Sequence, residues 1–398
     1  MSETIIIKNR IQSIDLLRGL IIVIMALDHT RDFFHADAMI YDPTDLSKTS
    51  VVLFFTRWIT HFCAPVFMFL AGTSAFLVGQ RKTKKELSLF LLTRGLWLIL
   101  LELTVVNFGW SFNIALPFFA LITIWALGIC MVALSLLIFL PFRLILFAGA
   151  IIILAHNLLD NTHVSGKGLD ALFYSLLHDP RYGADGFNIF GRTIEVGYPV
   201  LSWIGVIALG YCFGYFYQAK IKVEQRKKWL AIIGFSAVVL FIIIRMINYY
   251  GDPQPWNTQP STVFTILSFF NVTKYPPSLL YILITLGPAI LFLRIAENPV
   301  GKWFTNAIIH IGRVPMFFYL LHIYLIHLLA MFAAKISGYD WSDMISQVPL
   351  TPVPKGYGFS LLVVYGVWIL VVLLLYPLCK WYDNYKSNHK EKWWLSYL

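Results

Sequence analysis

The amino-acid sequence predicts an all-α fold: a polytopic membrane bundle of about ten transmembrane helices with both termini cytoplasmic. Three observations predict it. Of 398 residues, 58% are hydrophobic and only 13% charged, where a soluble domain would carry about 25% charged residues. The apolar residues form runs long enough to cross a bilayer, separated by short polar stretches. The basic residues collect in alternate loops: Lys8 and Arg10, then Arg81, Lys82, Lys84 and Lys85, then Lys220, Lys222, Arg226, Lys227 and Lys228, and finally Lys380, Lys386, Lys390 and Lys392. The intervening loops carry Asp37, Asp42, Asp45, Asp160, Asp170, Asp179, Asp185, Glu195, Asp252, Asp340 and Asp343. That alternation is the positive-inside pattern. The net charge of +10 therefore reports a lipid bilayer and not nucleic acid.

The spans fall near 14–35, 51–79, 87–106, 117–140, 143–159, 197–218, 229–247, 277–296, 308–334 and 359–378, within a single domain covering 1–398. Asp15 and Arg18 interrupt the first apolar run and no A-x-A-like site follows, so it reads as a retained helix rather than a signal peptide. The second and third spans flank the basic turn at Arg81–Lys85. The fourth and fifth are joined by Pro141, Phe142 and Arg143 alone, a tight hairpin. The sixth leads into the basic stretch before the seventh. Pro315 should kink the ninth and free backbone carbonyls inside the bundle. The tenth ends in the basic C-terminal segment.

Four outward loops are longer, near 36–50, 160–196, 248–276 and 335–358. The middle two are rich in Gly, Pro, Asn and Asp and read as irregular structure, a cap or rim on the outer face. Cys63, Cys130, Cys212 and Cys379 lie in apolar runs with no C-x-x-C pair, and read as small core residues. No internal repeat is visible.

The chemistry concentrates on the first helix, where Asp28, His29, Arg31, Asp32 and His35 crowd its outer half. An ionisable side chain inside a bilayer costs roughly 2.5–3.5 kcal/mol on insertion scales, so such a cluster points to function. At about 100° per residue all five share less than half the helix circumference, with Asp28, Asp32 and His35 in one stripe. A carboxylate beside an imidazole fixes its tautomer, which equips a general base. The bland reading is a structural ion-pair network around Arg31 at a tolerant helix end.

Arg57 and His61, four residues apart on the second span, read as bundle-facing, with Asp28, Asp32 or a bound anion as partner for Arg57. Arg94 and Glu102 on the third span could line the same cavity. Asp15 and Arg18 read as a local salt bridge. The ninth span carries His310, Arg313, Tyr319, His322 and His327. His322 and His327 stand about 140° apart, which argues against paired ligation. Nothing resembles H-E-x-x-H or another compact ligand set, so no metal is expected.

The segment Arg10-Ile-Gln-Ser13-Ile-Asp15-Leu-Leu-Arg18-Gly19, continuing to Asp28-His29-Thr-Arg31-Asp32-Phe-Phe-His35, resembles the opening helix of the DUF1624 membrane proteins. These are bacterial relatives of heparan-α-glucosaminide N-acetyltransferase. Pro199 to Gly205 with Gly210-Tyr211, and Gly312-Arg313-Val-Pro315 through Tyr319 to His322, resemble later motifs of that family. The resemblance implies a multispan acetyltransferase of a bacterial cytoplasmic membrane. Acetyl-coenzyme A would enter from the cytoplasm and a glucosamine-like or other glycan amine would accept on the outer face. Relatives place Asn where this chain has His29, and their proposed catalytic histidine fits His35 best. A more distant acyltransferase superfamily would favour His29.

On that resemblance His35 is the expected base, oriented by Asp28 or Asp32, while His29, Arg31 or Arg57 polarise the thioester carbonyl. Arg18 and Arg313 are expected at the cofactor phosphates. The donor arm must then reach an outer-face base through a polar tunnel, for which His61, Arg94 and Glu102 are the expected lining. A second copy of the chain could pair with the first as a homodimer. Two other classes compete: a transporter or flippase with a charged cavity, which would not bind acetyl-coenzyme A, and a lipid-linked glycosyltransferase, which would depend on a divalent metal.

Overall fold

Helix α1 (Gln12–Phe34) forms although it carries Asp15, Arg18, Asp28, Arg31 and Asp32, because its apolar side chains are buried and its leucines, Met25 and Ala26 favour helix. Leu17, Ile21, Ile22, Met25 and Phe33 all lie in the central core. The computed structural model describes residues 11–38, 40–298, 302–347 and 353–397, so the basic pair Lys8 and Arg10 lies outside the described residues. Seven described helices are long and apolar enough to cross a membrane: α2 (Val51–Gly79), α3 (Lys84–Ser111), α5 (Phe142–Leu159), α8 (Val223–Ile247), α10 (Leu279–Ala296), α12 (Pro315–Ile336) and α13 (Leu361–Asn388). Two shorter apolar helices, α4 (Thr123–Leu137) and α7 (Leu201–Tyr217), pack among them. The protein is a membrane helical bundle with α1 at its centre, against α2, α10, α12 and α13. Its outer shell is apolar: α8 exposes Val239, Leu240, Ile243 and Met246, and α13 exposes Leu362, Leu370 and Leu373. Such faces suit acyl chains, not water.

Close helix crossings depend on facing glycines. A Cβ on Gly312 of α11 (Lys302–Arg313) would lie 1.9 Å from the Asp15 carbonyl oxygen, and one on Gly19 would lie 2.0 Å from that of Ile308. Gly72 and Gly210 hold α2 against α7 in the same reciprocal way, at 2.1 Å each. Gly95 and Gly128 do so for α3 and α4. Small residues at such crossings let backbones approach closely, which favours helix association in lipid through van der Waals packing. Gly210→Ala should therefore cost about 1–3 kcal/mol by overpacking and lower the thermal midpoint in nanodiscs. An unchanged midpoint would refute the close-crossing account.

Prolines shape the interior as their chemistry demands. Pro65 cannot donate to the carbonyl of His61, and the Tyr281 hydroxyl donates to that oxygen instead, at 2.7 Å. The expected kink at Pro315 is a full break between α11 and α12, with Val314 outside the helical region (φ −129°, ψ 51°) as a residue before proline tends to be.

Three expectations at the outer end need correction. The stretch read as one span over 117–140 starts with a strand, β1 (Phe118–Leu121), before α4. A short apolar run of Phe-Phe-Ala-Leu does not distinguish strand from helix; its partner does. That partner is β3 (Arg192–Val196), parallel to β1 and antiparallel to β2 (Phe187–Ile189), so the 160–196 loop is not wholly irregular. It also holds α6 (Leu169–Leu177).

The 248–276 loop contains α9 (Thr262–Phe270). Arg245 at the end of α8 organises it, donating to the carbonyls of Gln254 (2.8 Å), Ser268 (3.0 Å), Phe269 (3.0 Å) and Asn271 (2.6 Å). Asp252 accepts from the Thr273 amide (2.8 Å) and the Ser278 hydroxyl (2.6 Å). Burial pushes the Asp252 carboxyl above its usual range, with those hydrogen bonds opposing the shift. The four cysteines are buried and free.

Candidate functional site

The first-helix cluster is a layered ion-pair network. Arg57 Nη1 meets Asp28 Oδ2 at 2.6 Å, and Arg31 Nη2 reaches Asp28 Oδ1 at 3.0 Å and Asp32 Oδ1 at 2.6 Å. Both carboxylates are thus held by guanidinium groups. Arg31 is almost wholly buried, and its Nε and Nη1 have no hydrogen-bond partner among the described residues. Buried donors left in that condition cost free energy until an oxygen ligand satisfies them.

His29 projects from another side of α1. Its Nδ1 lies 2.7 Å from Nε2 of His322, and the two rings are within 18° of coplanar. Trp110 from α3 and Tyr319 from α12 wall the imidazole edge-on, at ring-centroid distances of 5.0 and 6.4 Å. His322 is fully buried, and its Nδ1 sits 3.1 Å from the Phe318 carbonyl oxygen. His29 itself is only half-buried.

His35 stands at the C-terminus of α1, about 9 Å along the axis from His29. The structure does not bring the expected carboxylates to it, because the arginines hold Asp28 and Asp32. Its Nδ1 accepts from the Asp37 amide at 3.3 Å. Its backbone is fastened to the start of α13: Ala36 N donates to Phe359 O at 3.0 Å, and Phe359 N donates to Phe34 O at 2.7 Å.

Two cavities approach this step of α1 from opposite ends of the bundle. The first, about 290 Å³, is lined by Arg18, Arg94 and Lys386, by Met25, Met68, Met131 and Met316, and by Phe67, Trp97, Thr123 and Tyr319. It reaches Met25, one helical turn from Asp28, and Tyr319, which borders His29. The expected polar tunnel is therefore corrected to a largely apolar one with basic residues in its wall. The second, about 540 Å³, is polar and opens at the other end among Asp42, Asp45, Arg57, His61, Asn257, Asn271, Lys274 and Tyr275. Arg57 forms part of its wall and holds Asp28 at the same time.

The remaining expectations divide. Arg18 lines the first cavity, tied to Asp15 at 3.3 Å and to Ser74 Oγ at 3.0 Å. Arg313 does not line it. Its guanidinium sits between Asp15 and Asp383, 3.4 Å from each, where it joins α11 to α1 and α13. The expectation that Arg313 meets a phosphate gives way to a structural role, because two buried carboxylates already claim it. His61 lines the second cavity, buried, and its Nδ1 has no hydrogen-bond partner among the described residues. Glu102 stands outside both cavities: its Oε2 accepts from the Ile124 and Trp125 amides, 2.9 Å each, at the start of α4. His327 is held between the carbonyls of Gly109 and Met344, at 2.9 Å each.

Sequence reasoning missed Lys386 as a cavity residue and missed His322 as the partner of His29. The spacing of Tyr319 and His322, three apart on α12, was the available signal, since it puts both on one helix face.

Residues 10–246, more than half of the chain, match the family model described as heparan-alpha-glucosaminide N-acetyltransferase, catalytic. No curated protein matches the chain.

Proposed function

The chain belongs to the heparan-alpha-glucosaminide N-acetyltransferase catalytic family, a family of membrane N-acetyltransferases, and from that premise we propose that it carries an acetyl group from cytoplasmic acetyl-coenzyme A to an amino sugar or similar amine at the outer face. The observation that supports this most is the pair of unlike cavities flanking one turn of α1. An apolar shaft with Arg18, Arg94 and Lys386 in its wall suits a phosphate-bearing thioester with a long flexible arm. A polar chamber lined by Asp, Asn, Thr and Lys side chains suits a sugar.

Transfer needs a base for the amine proton and donors for the developing oxyanion. His29 supplies the base, since it alone of the two candidate histidines borders the donor cavity through Tyr319. The acceptor nitrogen attacks the thioester carbonyl, the C–N bond forms and the C–S bond breaks. The amine proton passes to His29 and then to the departing thiolate. Arg31, with its open Nε and Nη1, is the candidate for holding the carbonyl oxygen. The membrane carries the chain in a single copy or a pair without change to this scheme.

The test is acetyl-coenzyme A binding by calorimetry in nanodiscs, followed by N-acetylglucosamine formation from added glucosamine. Wild type should bind saturably, and Arg94→Gln and Lys386→Gln should each weaken binding about tenfold, or about 1.4 kcal/mol. Absence of binding by folded wild-type protein would overturn the donor assignment and favour a transporter. Binding without transfer to any amine tried would overturn the acceptor class instead.

A further inference from the structure

We propose that His322 is the positioning residue that fixes the tautomer of His29, a neutral histidine in the place where hydrolases and transferases commonly use a carboxylate. The inference rests on the reading of His29 as base.

It follows from counting protons along three atoms in a row. A carbonyl oxygen only accepts, so the His322 Nδ1 that lies 3.1 Å from Phe318 O must carry hydrogen. A neutral imidazole has one N–H, which leaves Nε2 of His322 with a bare lone pair. That nitrogen is 2.7 Å from Nδ1 of His29, and two ring nitrogens pair at this distance only when one of them is protonated. The hydrogen therefore belongs to His29 Nδ1. Nε2 of His29 is then the unprotonated nitrogen, with no hydrogen-bond partner among the described residues. The near-coplanar rings are the orientation an in-plane N–H···N bond requires.

A carboxylate would do the same and add a negative charge. Here both carboxylates within reach on α1 are committed to Arg31 and Arg57. His322 instead offers a lone pair backed by a helix carbonyl, on a side chain with no solvent exposure of its own. When His29 takes the amine proton, its Nδ1–H remains bonded to His322 and the ring does not turn. Free imidazoles in water place the hydrogen on either nitrogen, so without His322 part of the population would present Nε2–H and could not accept.

Three variants of the full-length protein in nanodiscs test this. His322→Phe keeps a flat ring and removes the acceptor, and should lower kcat about 100-fold with the KM for both substrates unchanged. His322→Gln restores an acceptor oxygen at similar reach and should recover most of the lost kcat. Nitrogen-15 NMR of labelled histidines, read without substrate, should show His29 protonated at Nδ1 in wild type and in His322→Gln, and a tautomer mixture in His322→Phe. Retained kcat in His322→Phe, or a wild-type His29 protonated at Nε2, overturns the proposal. His29→Ala serves as the separate control: if it stays active, the choice of base fails, whereas an inactive His29→Ala beside an active His322→Phe defeats only the role given to His322.

Discussion

Replacing His29 with alanine lowers kcat for acetyl transfer by about 10²–10⁴-fold, whereas His35→Ala changes it by no more than about twofold. The two histidines differ in surroundings and not in type. His29 has a fixed ring, a defined hydrogen-bond partner on one nitrogen and a second nitrogen without one among the described residues, beside the wall of the first cavity. His35 sits at a helix end, its Nδ1 occupied by the Asp37 backbone amide, while Asp28 and Asp32 are held by arginines instead. Steady-state kinetics with acetyl-coenzyme A and glucosamine settle the matter. Loss of activity in His35→Ala alone would move the chemistry to the outer surface and leave His29 as packing.

The second large effect is on stability. Arg57→Ala should destabilise the bundle by about 3–5 kcal/mol, because it strands Asp28 in a buried position with one of its two guanidinium partners gone. Asp28→Asn combined with Arg57→Gln should cost clearly less than the sum of the single changes, since neither charge is then left alone. Thermal unfolding in nanodiscs measures both. Singles as stable as wild type, or strictly additive losses, would show that the pair is not the keystone its geometry indicates.

Much of this protein is written locally in its sequence. Long apolar runs fix helices wherever they occur, and crowded charge on α1 marks the centre of the bundle because polar groups in lipid must face inward. The motif glycines at 210 and 312 were legible as motifs, and the structure gives the reason for them: backbone oxygens lie where a Cβ would be. What was not legible depends on residues far apart in the chain. β1 acquires its identity from β3 about seventy residues later, by pairing alone. His29 and His322 are separated by 293 positions and neither announces the other. Arg313 looked free on its own helix and is bound by Asp15 and Asp383 from two others. The apolar character of the first cavity arises where five helices turn methionines and aromatics to a common space, which no single periodicity encodes.

The layer formed by Asp28, Arg31, Asp32 and Arg57 stands between the two cavities, and this has an electrical consequence. A protein with water-accessible spaces entering from both ends of a bundle risks short-circuiting the membrane it sits in. Here Arg57 of that layer borders the second space and Asp28 stands one helical turn from Met25 of the first, so the opposite charges nearest the divide are locked to one another. Under the proposed function, an acyl group handed across such a septum would change sides as a covalent fragment while ions stayed where they were. The same bonds that keep the bundle together would then also preserve the potential across the bilayer.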